Sequence, residues 1–227
     1  AGLHAAGVAK APWSYQHIDP ALVGNETRFL VSELSGSHGV LAKLREQGVE
    51  VDREEARRIV EQVKMMESRG YQYEGAEASL ELLVRRSRPG YQPPFELEDF
   101  MVVERRHHGP GDREMLAEAM VKVRVGDEVI HTAAEGNGPV NALDAAVRKA
   151  LLQFYPSLEA VKLVDYKVRI IDPGHGTAAS VRVLIESTDG EQSWTTVGAS
   201  TDIIEASWLA LADSLEYWLV KRGATLS

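Results

Sequence analysis

The chain has 227 residues, a net charge of −9, 44% hydrophobic residues and no cysteine. This length fits one or two globular domains, and the acidic charge argues against a nucleic-acid-binding surface. Without cysteine there can be no disulfide framework, thiolate zinc site or cysteine nucleophile. No apolar run approaches the ~20 residues of a membrane span, and the first residues lack the charged and apolar regions of a signal peptide. We therefore expect a soluble protein of the cytoplasm.

The first 36 residues show the least periodicity and contain two candidate catalytic side chains. His4 and Tyr15 both lie in irregular chain near glycine and proline, where they could supply an acid/base pair to a neighbouring site. An isolated histidine or tyrosine is more often a packing or surface residue. Both interpretations stay open on spacing alone.

Helical signals dominate the next part of the chain. Asp52 followed by Glu55 is a capping box, which predicts a helix that ends at Gly70. A further helix is predicted at roughly residues 75–87, and the proline- and glycine-rich stretch 88–94 is typical of a linker. We therefore expect residues 1–93 to form a small, mainly helical linker subdomain and residues 94–227 to form a second domain.

The second domain contains a unit of three strands and a helix that occurs twice. In the first copy, hydrophobic and charged residues alternate at 121–125, Gly126-Asp127 forms a turn, and a return strand covers 129–132. Gly136-Asn-Gly-Pro139 then opens a helix, with the proline at a position where its missing N–H does no harm. An upstream strand begins at Asp99-Phe100.

The second copy repeats this order. Its upstream strand begins at Asp165-Tyr166, strands at 181–185 and 193–197 flank an Asp189-Gly190 turn, and a capping box at Asp202 and Glu205 opens the last helix. The expected fold class is therefore α+β, a duplicated β-β-β-α domain with pseudo-twofold symmetry. Two small sheets leave faces to cover, so we expect residues 95–227 to dimerise, using aromatic surface from Trp194, Trp208 and Trp218.

The glycine loop before the helix of the first β-β-β-α unit is the best binding-site candidate on physical grounds. Gly136 and Gly138 permit close backbone approach, and a helix N-terminus offers free N–H groups to a carboxylate or phosphate. A plain turn and helix start is the commoner meaning of such a pattern. The histidine spacing gives no metal motif. We interpret His107-His108 as a solvated loop pair and His175 as part of a turn, and we predict no metal site.

Four segments of the chain together resemble the α-isopropylmalate, citramalate and homocitrate synthase family. Residues 2–10, 15–25 and 31–36 are similar to the segment after that family's catalytic barrel, and Glu135-Gly-Asn-Gly-Pro139 is similar to a loop of its C-terminal regulatory domain. Residues 15–25 are most similar to the citramalate synthase branch. The resemblance covers essentially the whole chain and implies a linker subdomain followed by a regulatory domain that forms a homodimer.

The resemblance implies an acyltransferase that condenses acetyl-CoA with a 2-keto acid in a barrel that holds a divalent metal. No residue of this chain corresponds to that barrel, so we expect no cofactor in this chain and no turnover by it alone. His4 matches a histidine that reaches into the partner subunit's barrel and assists deprotonation of the acetyl-CoA methyl group. Tyr15 matches a tyrosine that lies across the same shared site.

The resemblance further implies feedback inhibition of branched-chain amino acid biosynthesis, by leucine or isoleucine bound between regulatory domains. The matching effector-binding positions are Gly136, Asn137, Gly138, Pro139 and Val140 in the loop, and Leu163, Asp165, Tyr166 and Ile170 in the strand that faces it. Loop N–H groups would suit the ligand's carboxylate, Asp165 or loop carbonyls its ammonium group, and the aliphatic residues its side chain. Asn141 stands where isopropylmalate synthases often have a small apolar residue, which leaves the choice of effector open.

Two other functions fit the residues less well. A free-standing small-molecule sensor or dimerisation module would need no attached enzyme, and only upstream sequence that encodes a barrel would separate it from the first interpretation. An independent hydrolase that uses His4 and Tyr15 is the weaker alternative, because the chain has no nucleophile elbow and no metal-binding set.

Overall fold

The computed structural model describes residues 52–105 and 116–223, and the chain divides into two compact units, Ala1–Gly75 and Ala76–Ser227. In the first unit, helix α1 spans Arg53–Ser68. The Asp52 side chain accepts a hydrogen bond from the Glu55 backbone N–H at 2.8 Å, as the capping box predicts. Gly70, with φ of 98°, follows the end of the helix.

The second unit contains six strands and three α-helices among its described residues. In chain order these are α2 (Glu77–Arg86), β1 (Glu96–Arg105), β2 (Leu116–Val125), β3 (Glu128–Gly136), α3 (Pro139–Leu151), β4 (Lys162–Ile170), β5 (Val181–Thr188), β6 (Ser193–Ser200) and α4 (Ile203–Arg222). Short 3₁₀ helices at Pro156–Ala160 and Pro173–Ala178 flank β4. Strands β1-β2-β3 and β4-β5-β6 form two separate antiparallel sheets. The predicted α+β fold with a duplicated β-β-β-α unit is confirmed.

The two repeats agree in detail. Thr132 in β3 donates its hydroxyl to the Ala146 carbonyl of α3 at 2.8 Å, and Thr196 in β6 donates to the Ala210 carbonyl of α4 at 2.7 Å. Strands β1 and β4 also carry a β-bulge at the same place, after Leu97 and after Leu163. A bulge reverses the facing of the residues before it relative to those after it. Both sheets therefore have the same change of facing near the start of their first strand.

One continuous apolar core joins the two repeats. Inward-facing residues of β2 and β5, such as Val121 and Ile185, pack under α3 and α4 and are almost completely buried. Phe100 of β1 stacks on Trp208 of α4 with ring centroids 6.1 Å apart. Trp194, Trp208 and Trp218 also belong to this core and are only 4–6% exposed. The expectation that Trp194, Trp208 and Trp218 supply surface for a dimer was wrong, because the chain's own core buries them.

Helix α2 covers the outer edge of β6. The Val197 N–H of this edge strand donates to the Ser79 hydroxyl of α2 at 3.0 Å, and Val197 is fully buried. An uncovered edge strand would expose its unpaired backbone groups to other chains. Because α2 follows directly on residue 75, the compact unit begins before it. The boundary predicted from sequence, after residue 93, would instead separate α2 from the sheet that it covers.

Candidate functional site

The junction between β3 and α3 depends on a close approach of the backbone. Strand β3 ends at Gly136, where an added Cβ would lie 2.5 Å from the Ala142 backbone nitrogen. Any larger residue would push the strand end away from the helix start. The Asn137 N–H donates to the Asn141 side-chain oxygen at 3.1 Å, which holds the loop against the first turn.

The start of α3 has no side-chain cap. Its N-cap residue is Gly138, in extended conformation, and Pro139 occupies the first turn. A Cβ placed on Gly138 meets no atom within 4 Å, so the space in front of the helix is open. No side chain caps the first-turn N–H groups of α3, and the positive end of the helix dipole favours an anion at this position.

The equivalent junction of the second repeat is closed by the chain itself. The Asp202 carboxylate accepts hydrogen bonds from the N–H groups of Ile204 at 2.7 Å and Glu205 at 3.2 Å. The Ser200 hydroxyl donates to the Glu205 carboxylate and accepts from the Asp202 N–H. A carboxylate thus already occupies the helix start that corresponds to the open one at Gly138.

Strand β4 presents an apolar surface beside α4. Tyr166, Val168 and Ile170 pair with the inward-facing residues of β5, yet Val168 is 38% exposed and Ile170 is 60% exposed. The Tyr166 hydroxyl lies 2.7 Å from the Ser207 hydroxyl of α4. Leu163 shares this face because of the bulge that follows it. Aliphatic and aromatic groups with one fixed hydroxyl pair suit a ligand with an apolar side chain.

Asp165 lies on the opposite face of β4. It pairs with Glu186, accepts a hydrogen bond from the Tyr166 N–H at 2.9 Å and forms an ion pair with Lys167. The hydrogen bond from Lys167 lowers the pKa of the Asp165 carboxyl. This carboxylate is therefore already paired, and the structure separates it from the Tyr166 side of the sheet.

The predicted site residues fall into two groups that belong to different sheets. The Gly136–Val140 loop follows the first sheet, whereas Leu163, Tyr166 and Ile170 belong to the second. Within the described parts of the chain, no hydrogen bond joins the loop to β4. Sequence reasoning missed Val168 and Ser207, although the alternation of apolar residues along β4 contains the signal for Val168.

Several sequence-based assignments concern other parts of the chain. His4, Tyr15, His107 and His108 lie outside the described residues. His175 lies in the 3₁₀ helix Pro173–Ala178, as a turn interpretation requires, with Nδ1 3.2 Å from an Asp172 carboxylate oxygen. In the ranges 52–105 and 116–223, no three histidine or acidic side chains are grouped to hold a metal ion. None of the helices in those ranges is long and apolar enough to cross a membrane.

Comparison with known proteins adds independent support for a regulatory domain. Residues 74–219 match the LeuA allosteric (dimerisation) domain, and residues 1–71 match the homocitrate synthase post-HMGL domain-like family. The division between these matches agrees with the division into compact units at residue 75.

Curated relatives match across almost the whole chain. An (R)-citramalate synthase of Geobacter sulfurreducens is 51% identical over 97% of this chain, and that of Aquifex aeolicus is 46% identical over the same share. A 2-isopropylmalate synthase of Methanocaldococcus jannaschii is 31% identical, also over 97% of the chain. The chain spans only 41–42% of the length of these relatives. The chain belongs to the family of the LeuA allosteric (dimerisation) domain, preceded by a segment of the post-HMGL type.

Proposed function

We propose that this chain is the regulatory and dimerisation part of a citramalate or 2-isopropylmalate synthase-type acyltransferase. The parent enzyme would condense acetyl-CoA with a 2-keto acid in the cytoplasm, as a step of branched-chain amino acid biosynthesis. The family match and the synthase relatives support this assignment. The divalent metal and the acetyl-CoA site are assigned to a barrel beyond these residues, and we expect this chain alone to be inactive.

We assign feedback inhibition to the second unit, with a branched-chain amino acid as the effector. The observation that carries this assignment is the uncapped start of α3 at Gly138. The equivalent start of α4, in the second repeat, is capped by Asp202. The effector's carboxylate would bind the first-turn N–H groups of α3. Its ammonium group would bind loop carbonyls, since Asp165 is paired with Lys167 on the other face of β4.

The apolar side chain of the effector would pack on Tyr166, Val168 and Ile170. Because the loop and this surface belong to different sheets, we propose that a second copy of the chain brings the two halves of the site together. Homodimerisation and effector binding are then one linked equilibrium. The family resemblance implies isoleucine as the effector of citramalate synthases and leucine as that of isopropylmalate synthases. Isoleucine is the expected effector here, because the citramalate synthases among the relatives are more similar to this chain than the 2-isopropylmalate synthase is.

Thermal unfolding of the chain with added amino acids tests this proposal. A ligand at a hundred times its dissociation constant stabilises the folded state by about 2.7 kcal/mol. For a chain of this size, the melting temperature should rise by roughly 5–10 °C with isoleucine and less with leucine or valine. A melting curve that none of the three amino acids moves at millimolar concentration would contradict the effector assignment and leave only dimerisation.

For the complete enzyme, we propose that His4 and Tyr15 assist proton transfer in the barrel of the partner subunit. His4→Ala or Tyr15→Phe should then lower turnover by roughly 10²- to 10⁴-fold without loss of folding. Turnover close to that of the wild type in His4→Ala would assign both residues a packing role.

A further inference from the structure

A cluster of charged side chains joins α2 to the middle of α4. The Arg86 guanidinium donates to Asp213 at 2.8 Å and to both carboxylate oxygens of Glu216, at 2.6 and 3.0 Å. The Asp213 and Glu216 side chains are only 13% and 6% exposed. A planar guanidinium can bridge two carboxylates in this way, whereas an ammonium group offers no such fork.

Neutral donors complete the cluster. The Ser79 hydroxyl of α2 donates to the second Asp213 oxygen at 2.7 Å, and the Tyr91 hydroxyl donates to Glu216 at 2.6 Å. Every carboxylate oxygen of the two buried acids therefore has a donor from α2 or from the segment that follows it. Burial raises the pKa of the Asp213 carboxyl, so its stability in the ionised form depends on these partners. A fully satisfied buried network fixes one arrangement of the elements that it joins.

Helix α4 connects this cluster to the candidate effector surface. Near its start, Ser207 contacts the Tyr166 hydroxyl of β4 at 2.7 Å. Six residues later, Asp213 binds Arg86 and Ser79, a distance of about 9 Å along a helix that rises about 1.5 Å per residue. The same continuous helix therefore contacts β4 at one place and α2 at another.

Helix α2 stands where the chain enters the second unit. The first unit ends at Gly75, and α2 begins at Glu77. Only Ala76 lies between the last residue of the first unit and the first residue of α2.

We propose that Arg86, as the positioning residue, couples the order of α2 to that of α4, and that this coupling transmits the effector-bound state of the β4 surface to the start of the domain. This inference rests on the proposed effector site at β4. In this coupling, ligand contact with Tyr166 orders the first turns of α4, and the hydrogen bonds of the Arg86 guanidinium to α4 then order α2.

Hydrogen–deuterium exchange of the complete 227-residue chain, with and without saturating isoleucine, tests the inference. In the wild type, isoleucine should slow exchange in 162–170, in the first turns of α4 and also in α2. Arg86→Lys keeps the charge but loses the fork, so exchange in α2 should speed up by roughly tenfold. Isoleucine should still slow exchange in 162–170 of this variant, but no longer in α2.

Two further variants make the readout specific. Arg85→Lys is the matched control, because Arg85 binds Glu81 of the same helix at 2.7 Å and does not reach the Asp213–Glu216 pair. It should leave the isoleucine response of α2 unchanged. Ser79→Ala removes one donor to Asp213, together with the acceptor of the Val197 N–H, and tests the coupling if Arg86→Lys does not fold; it should weaken the response of α2.

The outcomes separate this inference from the proposed function. If isoleucine slows exchange in 162–170 but not in α2 of the wild type, the coupling is overturned while the effector site stands. If Arg86→Lys, or Ser79→Ala in its place, keeps the full response of α2, the role of the cluster is overturned. If isoleucine slows exchange nowhere, the effector site itself is wrong and the coupling falls with it.

Discussion

At the scale of single residues, Gly138 and Asp202 show how equivalent positions of a duplication can take different roles. Both are N-cap residues in extended conformation, at the starts of α3 and α4. Asp202 supplies a carboxylate to its own helix, and Gly138 leaves the corresponding N–H groups to solvent or a ligand. The difference between them is one side chain, and it can be reversed by substitution.

Gly138→Asp should convert the open helix start into a closed one. An aspartate is a better N-cap than glycine by a few tenths of a kcal/mol, and its charge suits the helix dipole. The unliganded chain should therefore unfold at an equal or slightly higher denaturant concentration. The same carboxylate would occupy the anion position and repel the ligand, so the isoleucine-dependent rise in melting temperature should disappear.

Gly138→Asn is the matched control for charge. It offers a similar capping group without the negative charge, and should retain more isoleucine binding than the aspartate variant. An undiminished isoleucine response in Gly138→Asp would show that the ligand carboxylate binds elsewhere.

Asp189 provides a test of pH dependence. Its carboxylate accepts a hydrogen bond from Arg222 at 2.6 Å, and this bond is the largest cause that lowers the pKa of the Asp189 carboxyl. Backbone N–H groups and the Trp218 indole N–H also donate to it. A carboxyl with a lowered folded-state pKa stabilises the fold above its unfolded pKa of about 3.9.

That contribution is lost as the pH falls below the ordinary carboxyl range. Asp189→Asn should therefore be less stable than the wild type at neutral pH, with the difference shrinking in progressively more acidic buffer. Urea unfolding at a series of pH values measures this directly. A difference that is constant down to the acid limit would mean that lost packing, and not charge, causes the destabilisation.

At the scale of elements, Gly198 in β6 allows the sheet to approach its helix. An added Cβ would overlap the Ala206 carbonyl and lie 2.8 Å from the Ala210 nitrogen, both in the backbone of α4. Gly198→Ala should lower the free energy of unfolding by about 1–3 kcal/mol, the usual cost of an overpacked core. Gly174→Ala, at a position where a Cβ meets no neighbour, is the control and should be nearly neutral in the same denaturant titration.

Local chemistry made most elements predictable. The Asp52 and Asp202 caps mark helix starts that the structure confirms, and alternating residues around a Gly-Asp or Asp-Gly turn mark the hairpins. It was harder to predict which residues of β4 lie on which face of the strand. The bulge after Leu163 places this residue on the side of Tyr166 and leaves Asp165 on the other side, which strict alternation does not reveal.

The ionic cluster on α2 lay beyond sequence reasoning for a different reason. The sequence pattern of Arg85, Arg86 and Arg88 is that of a solvated, basic helix end. Arg86 instead binds Asp213, which is 127 residues away in the chain. Only the tertiary arrangement of α2 on α4 brings these charges together, and no spacing rule encodes it.

At the scale of the whole molecule, exposed apolar residues support dimerisation. Val168 and Ile170, which lie on the same face of β4, are 38% and 60% exposed. Exposed apolar surface of this kind favours burial against another chain. Light scattering at micromolar concentration should therefore give about twice the 25.0 kDa mass of one chain.

A variant with a charge on this face of β4 can be compared with the wild type for self-association. Ile170→Glu should leave the folding of one chain intact, because the side chain is 60% exposed, and should weaken self-association. A wild type that stays monomeric at high concentration would contradict dimerisation through residues 95–227.

The position of α2 on β6 also determines where this chain can be cut. A fragment begun at the proline-rich stretch 88–94 would keep both sheets but lose the helix that accepts the Val197 N–H and shields that strand. Its newly bared strand edge would offer a template for pairing with other copies. Such a fragment should precipitate or form oligomers in which exposed strands of different copies pair, whereas a fragment begun before Glu77 should stay in solution. The usable unit for expression and crystallisation therefore starts upstream of the apparent linker.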